Sequence, residues 1–402
     1  MTPEIKQRIE QIRRGEVPER YVKTALGLAP ANWKRYTFGD IYTERKEPGD
    51  ENLPLLMVSI HSGVSDGEVD AAELPKQVKR IEDKSQYKKA VSGDLVFNMM
   101  RAWQGAIGTV RTTGMVSPAY IVAEPNGKAY PLFMDYYSRT PQMINQIDRQ
   151  SYGVTDFRKR LYWDSFAPIS CTLPPIEEQQ KIAAILTTQD KVIELKEKRL
   201  AEKRRQKKYL MQQLLTGKKR LPGFAFEVEK TNIKEISTYS VSTISQTMLE
   251  SYEGKQLYPV FNANSIAGHV DFYENECPYI SIIKDGAGIG RVRLCEAKSS
   301  TIGTMGCIHA CKGISIIFLY YLLEQVDFNK YSNGSTIPHL YYKDYSCEKV
   351  RIPDIKEQAA IAEVLSTADR EIELLQQDIE QEKQKKKALM QLLLTGIVRV
   401  KT

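Results

Sequence analysis

Two long stretches of the chain carry an apolar residue at almost every seventh position. The first series consists of Leu186, Ile193, Leu200, Lys207 and Leu214. The second series consists of Leu365, Ile372, Ile379, Lys386 and Leu393. A seven-residue apolar repeat keeps one seam of a helix against a partner helix along its length. The pattern therefore predicts two long coiled-coil helices, with these residues along their seams.

Each predicted helix has a start signal and a stop signal. Pro175 and Pro353 precede the first turn, and acidic residues follow them, where negative charge suits the positive end of the helix dipole. Gly217 and Gly396 lie where a C-terminal cap is expected. Each helix is thus predicted to have about 39 residues and a length of about 58 Å.

The helices belong to a longer internal repeat. Residues 174–220 and 353–399 align without a gap at an offset of 179, and 22 of the 47 aligned positions are identical. A repeat of this size indicates two copies of one unit, a domain followed by a helix. We expect the helices, at 176–216 and 355–395, to pair antiparallel within the chain and to give an internal pseudo-two-fold repeat. The alternative is that each seam packs on a helix of another protein.

Two lysines interrupt the seams at matching places. Lys207 and Lys386 either extend into water or fix the register of the pairing, as polar seam residues can, and the sequence favours neither explanation. Residues 196–208 also form a strongly basic run. Such a run on a coiled coil is most often a solvated face, and nearby phosphate groups are the alternative explanation.

Outside the helices, the sequence predicts two mixed, β-rich domains. Short apolar runs, such as 53–60, 94–98 and 279–283, are separated by glycine-containing turns. The expected fold class is therefore α+β, with two β-rich domains separated by an antiparallel pair of long helices. The predicted order is an N-terminal helical segment at 1–30, a domain at 31–173, a helix at 174–220, a domain at 221–351 and a helix at 352–402.

Composition narrows the class of protein. The chain has 402 residues and a formal net charge of +7, which is compatible with nucleic-acid binding without proving it. It has neither a signal peptide nor an apolar run of about 18 residues, so we expect a cytoplasmic protein with no membrane contact. None of the six cysteines lies in a Cys-x-x-Cys pair, which favours reduced thiols over a metal site.

The sequence contains no recognisable constellation of catalytic residues. Residues 117–120, Ser-Pro-Ala-Tyr, faintly resemble the Asn/Asp-Pro-Pro-Tyr box of amino-methyltransferases, but they lack its first amide or carboxylate and a glycine-rich cofactor loop. Residues 285–290 match neither a Walker A loop nor a dinucleotide fingerprint, and they predict a turn between strands. We expect no catalytic residue and no bound cofactor on this chain.

Both domains contain side chains suited to reading DNA. The candidates in the first are Arg101, Trp103, Gln104, Tyr152, Thr155, Arg158, Lys159 and Arg160. Those in the second are Lys284, Arg291, Arg293, Ser332, Asn333, Ser335, Thr336 and His339. Arginine suits guanine and glutamine suits adenine. Any one of these residues alone is most often a solvated side chain. However, the polar loops 152–160 and 331–339 both lie just before the aligned Leu161 and Leu340, which favours a shared role.

These features resemble the specificity subunits of Type I restriction–modification systems. The resemblance rests on the Pro-x-Ile-x-Glu-Gln openings at 174–179 and 353–358 and the Leu-Met-Gln…Leu-Leu-Thr-Gly endings at 210–217 and 389–396. The Arg-Leu-Pro-Gly-Phe sequence at 220–224 is also typical of the family. The resemblance covers essentially the whole chain.

The resemblance implies a non-catalytic protein with two target-recognition domains. Each domain would read one half of a split target on double-stranded DNA, and the helices would set the length of the unread spacer. Two methyltransferase subunits, which use S-adenosylmethionine, and restriction subunits, which use ATP and Mg, would dock on the chain. Two rival hypotheses remain open: a two-domain scaffold without a DNA role, and a DNA-modifying enzyme with an unrecognised site.

The N-terminal segment departs from the repeat. Residues 1–30 have no second copy of comparable length, and residues 5–12 predict a helix. This helix is expected either to cap the coil near the C-terminus or to contact a partner.

Overall fold

In the computed structural model of the protein, the chain divides into two compact units. The first comprises Met1–Leu195 together with Ile379–Thr402, and the second comprises Lys196–Asp378. The structure describes residues 3–24, 27–60, 63–65, 86–155, 158–225, 229–286, 288–334 and 337–400. Each unit therefore contains one part of each long helix.

The helices include the two long elements that the heptads predict. In chain order, the described α-helices are α1 (Pro3–Arg13), α2 (Phe38–Ile41), α3 (Pro131–Tyr137), α4 (Pro141–Gln150), α5 (Trp163–Phe166), α6 (Ile176–Leu214), α7 (Ile233–Ile236), α8 (Gln246–Glu250), α9 (Ile316–Glu324), α10 (Tyr342–Tyr345) and α11 (Ile355–Leu393). Helices α6 and α11 have 39 residues each. They end slightly before the predicted ends at 216 and 395. Gly217 and Gly396 follow with φ angles of 67° and 72°, the left-handed conformation of a glycine C-cap.

The first unit is built mainly from antiparallel strands. They are β1 (Tyr21–Thr24), β2 (Gly27–Pro30), β3 (Lys34–Thr37), β4 (Tyr42–Glu44), β5 (Val58–Ser59), β6 (Gly63–Val64), β7 (Lys88–Ala90), β8 (Leu95–Asn98), β9 (Ile107–Thr109), β10 (Gly114–Val116), β11 (Tyr120–Pro125) and β12 (Ser170–Leu173). The largest sheet has the order β4-β11-β8-β9, and β3 pairs with β12. Helix α2 leads from β3 into this sheet, and Thr37 and Asp40 form a capping box at its start.

The second unit repeats this plan with different residues. Its strands are β13 (Glu229–Asn232), β14 (Ser237–Val241), β15 (Tyr258–Phe261), β16 (Ile266–Val270), β17 (Tyr279–Ile283), β18 (Val292–Cys295), β19 (Ser300–Thr301), β20 (Met305–Ala310), β21 (Ser332–Asn333), β22 (His339–Leu340) and β23 (Lys349–Ile352). The sheet β14-β20-β17-β18 corresponds to the large sheet of the first unit, and β13 pairs with β23 as β3 pairs with β12. The predicted α+β class and internal repeat are confirmed.

The long helices pair antiparallel inside each unit. In the first unit, Glu178 near the start of α6 contacts Arg399 just beyond α11, and Asp190 contacts Lys386. In the second unit, the ion pairs Lys196–Asp378, Lys203–Glu371 and Lys207–Asp369 run in opposite directions along the two helices. The predicted pairing within the chain is confirmed.

The seam residues differ in burial along the helices. The buried ones are Leu186, Ile193, Leu214, Leu365, Ile379 and Leu393. Leu200, Ile372, Lys207 and Lys386 are half-buried. Leu186 and Leu393 belong to one core cluster with Phe38, Phe133 and Phe166 of the first domain. Leu214 and Leu365 join Ile280, Phe318 and Tyr345 of the second domain in another. The ends of the seam are therefore continuous with the domain cores.

The N-terminal segment packs on the end of α11 inside the first unit. Arg8 donates a hydrogen bond to the Ile397 carbonyl at 3.0 Å, and the Tyr21 hydroxyl donates to the Gly396 carbonyl at 2.6 Å. These carbonyls lie beyond the last helical turn, where intrahelical donors run out. The segment therefore caps the coil near the C-terminus, which was one of its two expected roles.

Candidate nucleic-acid interface

The structure brings two of the predicted groups of the first domain together. Trp103 lies in the short 3₁₀ turn Ala102–Gln104 after β8, and its indole N–H donates to the Met100 carbonyl at 3.0 Å. The Lys159 ammonium lies 5.0 Å from the centre of the Trp103 ring, within the range of a cation–π contact. Asp148 of α4 pairs with the same ammonium at 2.8 Å. The indole and the lysine of the 152–160 loop therefore form one surface.

Backbone hydrogen bonds join the two ends of the 152–160 loop, of which Asp156 and Phe157 lie outside the described residues. Tyr152 and Arg160 exchange both backbone hydrogen bonds, at 3.1 and 2.9 Å. A Cβ atom at Gly153 would collide with the Arg158 carbonyl, so the closure of the loop depends on glycine. The Leu161 N–H donates to the Met99 carbonyl at 2.9 Å and joins the loop to the Trp103 turn.

The outer face of this surface carries exposed polar and aromatic groups. Its exposed candidates are Arg101, Gln104, Tyr152, Thr155 and Arg158. Guanidinium and carboxamide groups can pair bidentately with base edges in the major groove, and basic or hydroxyl groups can contact phosphate. Five of the eight candidates of the first domain are thus exposed to solvent, and two others, Trp103 and Lys159, contact each other.

The predicted turn in the second domain joins β17 to β18 and meets the 331–339 loop. Lys284 and His339 both contact the Asp285 carboxylate at 2.8 Å, and the Leu340 N–H donates to the Lys284 carbonyl at 2.8 Å. Burial alone raises the pKa of Asp285, but hydrogen bonds from Lys284 and His339 outweigh it and lower that pKa. The Asp285 carboxylate therefore orients the side chains of two predicted site residues, Lys284 and His339. Ala287 in this turn lies outside the described residues.

The 331–339 loop is a small hairpin of β21 and β22. Ser332 pairs with Leu340, and Asn333 pairs with His339. The Asn333 side-chain amide donates to the Asp344 carboxylate at 3.1 Å, which leaves its carbonyl oxygen as an acceptor. Ser335 and Thr336, two predicted site residues, lie outside the described residues.

Arg291 and Arg293 make contacts inside the second unit, and their role in binding DNA stays a prediction. Arg291 donates to the Asn264 side-chain oxygen at 2.9 Å, and Arg293 donates to the Asn264 carbonyl at 2.7 Å. Arg293 also stacks over Phe261 at 5.8 Å. Both guanidinium groups therefore contact the turn between β15 and β16.

Two exposed tyrosines were missed as site candidates. Tyr162 and Tyr341 occupy aligned positions and are 43% and 50% exposed. Tyr162 contacts Tyr152 with ring centres 5.9 Å apart, and Tyr341 stacks on His339 at 6.5 Å. An identical tyrosine at a fixed offset, between aligned buried residues of diverged domains, was the signal that could have identified them.

The described residues contain neither a candidate metal site nor a helix that could span a membrane. No group of three or more His, Cys, Asp or Glu side chains among them could hold a metal ion. No helix in this part of the chain combines the length and apolar character that a membrane crossing requires. The cysteines are free thiols, and burial raises the pKa of Cys171 to about 12 and that of Cys307 to about 11.

The sequence of the chain is similar to those of known proteins. A family model described as the Type I restriction modification DNA specificity domain matches residues 76–203 and 226–384. The Type I restriction enzyme MjaVIII specificity subunit of Methanocaldococcus jannaschii is 25% identical over 367 residues, which cover 79% of this chain and 83% of that protein.

Solved structures share the fold. The Type-I restriction-modification system S subunit from M. genitalium has a TM-score of 0.59 and 14% identity, covering 92% of this chain and 97% of that one. A second structure comes from work on complex assembly and conformational transition of the type I R-M system. It has a TM-score of 0.55 and 16% identity, covering 92% of this chain and 99% of that one.

Proposed function

The chain belongs to the family of the Type I restriction–modification DNA specificity domain, and from this membership we propose that it reads a split DNA target for a Type I restriction–modification complex. Each unit reads one half-site on double-stranded DNA with its own exposed cluster. One observation carries this proposal. An exposed tyrosine next to a polar loop recurs at the same offset, as Tyr162 in one unit and Tyr341 in the other.

The first cluster contains groups for base edges and for phosphates. Arg101 and Gln104 present a guanidinium and a carboxamide that suit guanine and adenine. The exposed Arg158 of the 152–160 loop supplies charge for the phosphate backbone. The rings of Tyr152 and Trp103 provide apolar contact surface, with Lys159 and Arg160 supporting the loop beneath them.

The second cluster uses a different set of residues, as a different half-site requires. His339 is oriented by Asp285, and Asn333 keeps its carbonyl acceptor, so both can address base edges. Lys284 supplies positive charge beside them. Ser332, Ser335 and Thr336 complete the polar loop. Arg291 and Arg293 act indirectly, because they hold the neighbouring turn.

The chain carries no chemistry of its own in this proposal. Two methyltransferase subunits, with S-adenosylmethionine, and restriction subunits, with ATP and Mg, supply it in a cytoplasmic complex. The duplicated helix supports this arrangement, because two equivalent copies of one segment suit two copies of one partner. The exposed basic residues of 196–208 supply further charge for DNA.

The test is to sequence the methylated positions in a host that carries this chain with its methyltransferase partner. We expect one split motif with a fixed spacer. We also expect no methyl transfer and no cleavage by the purified chain alone. A continuous motif, or methylation by the chain alone, would contradict the proposal. If the assembled complex bound duplex DNA without salt dependence, or did not bind it, the scaffold hypothesis would replace it.

A further inference from the structure

A lysine, an aspartate and a tyrosine join three elements of the first unit. The Lys386 ammonium of α11 contacts the Asp190 carboxylate of α6 at 2.6 Å. The Tyr136 hydroxyl of α3 donates to the other oxygen of the same carboxylate at 2.7 Å. The ammonium also lies 5.5 Å from the centre of the Tyr136 ring. One cluster therefore ties both long helices to the recognition domain.

The second unit contains the same cluster at an offset of 179 on the helices. The Lys207 ammonium of α6 contacts the Asp369 carboxylate of α11 at 2.7 Å, and the Tyr321 hydroxyl of α9 donates to that carboxylate at 2.7 Å. The ammonium lies 5.2 Å from the Tyr321 ring centre. Glu324 of α9 adds a second acidic contact to the lysine at 3.1 Å.

The tyrosines set these clusters apart from ordinary ion pairs on a coiled coil. Lys207 and Lys386 are the two lysines that interrupt the seams, and their side chains are only 15% and 27% exposed. They are held inside rather than extended into water. Burial first, and the acceptor Asp190 in addition, raise the pKa of Tyr136, so its hydroxyl stays protonated as a donor. Both tyrosines come from domains whose sequences have diverged, yet each makes the same contacts.

We propose that each Lys–Asp–Tyr cluster is a positioning device that holds a recognition domain in one register on the helix pair and so fixes the number of base pairs between the half-sites. This inference rests on the proposed function. A polar residue at a coiled-coil seam selects one register because every other register leaves it unpaired. Here the tyrosine extends that selection to the domain. One base pair more or less in the spacer changes its length by about 3.4 Å, which is less than the rise of one turn of an α-helix.

The experiment compares variants of the full chain in the complex with its methyltransferase subunits. Lys207→Met keeps the apolar stem and removes the charge, and Tyr321→Phe removes only the hydroxyl. Lys203→Met is the matched control, because Lys203 pairs with Glu371 at 2.6 Å and thereby joins the same two helices. Methylation is measured on duplexes that carry the native spacer, or a spacer one base pair longer or shorter.

We expect Lys207→Met to reduce the preference for the native spacer by about tenfold, equivalent to about 1.4 kcal/mol, with both half-site sequences unchanged. Tyr321→Phe should give a smaller loss of spacer preference, and Lys207→Arg, which keeps the charge, should retain most of the preference. Lys203→Met should keep it. The inference is overturned if Lys207→Met and Tyr321→Phe lower methylation equally on all spacers, or if Lys203→Met relaxes the spacer as much. A native complex that methylates no split motif would refute the proposed function instead.

Discussion

Arg399 forms a bidentate ion pair with Glu178, with nitrogen–oxygen distances of 2.6 and 2.7 Å. Glu178 lies in the first turn of α6, its side chain is 1% exposed, and the arginine follows the end of α11. The second unit repeats this relationship, because Arg220 binds Glu357 through the same pair of nitrogens. Each unit therefore anchors the start of one long helix to the chain that leaves the other.

Loss of this arginine should destabilise the first unit. Arg399→Ala leaves the buried Glu178 carboxylate unpaired, which we expect to cost about 2–3 kcal/mol, because partial exposure of the arginine reduces the full penalty of a broken buried pair. Arg399→Lys should recover only part of this loss, since lysine cannot bind bidentately. Chemical denaturation of the purified chain measures both. Lys203→Ala, at an exposed ion pair, is the control and should change stability little.

The helices were predictable because their signals are local. The heptads and caps of each helix lie within one stretch of sequence, the repeat gives these signals twice, and α6 and α11 have the predicted length. The apolar run 53–60 shows the limit. It predicts a longer strand, but a strand forms only where a partner pairs with it. Val58–Ser59 pairs with Gly63–Val64, whereas Leu55 makes only an isolated bridge to Met115. The contacts of Arg291 and Arg293 with Asn264 were also not predictable, because these residues lie 27 to 29 positions apart in sequence.

Arg158 of the 152–160 loop should contribute charge to DNA binding without sequence preference. Arg158→Ala is expected to weaken binding of the assembled complex to all duplexes and to reduce the slope of log affinity against log salt by about 0.9. Titrations at several salt concentrations measure this slope. Arg14→Ala, at an exposed arginine after α1, is the control and should leave it unchanged. A loss confined to one DNA sequence would show that Arg158 reads a base instead.

Arg101 should affect one half of the target only. If its guanidinium pairs with a base edge, Arg101→Ala should reduce discrimination at one position of one half-site by about 1–3 kcal/mol. Competition binding with singly substituted duplexes measures this discrimination. Discrimination in the other half-site is the internal control, and an equal loss in both halves would contradict the prediction.

The Asp285 carboxylate should make loop stability depend on pH in the acid range. A carboxyl whose pKa is lowered by folding stabilises the fold above its unfolded pKa, and this contribution is lost as the pH falls through the folded value. Asp285→Asn should therefore lower the midpoint of thermal unfolding at neutral pH. The difference in unfolding midpoint between this variant and the native chain should shrink once the pH falls below 3.8, the ordinary pKa of an aspartate carboxyl. Glu253→Gln, at an exposed carboxyl of the same unit, is the control. A difference that stays constant across this range would contradict the assigned pairing.

The central claim, that each domain reads one half of the target, is tested most directly by a domain exchange. Residues 31–173 are replaced by the corresponding domain of a relative whose target is known, and the methylated motif of a host carrying the hybrid complex is sequenced. We predict that one half of the motif changes to that of the donor, while the other half is retained. A motif in which both halves change, or neither does, would contradict the claim.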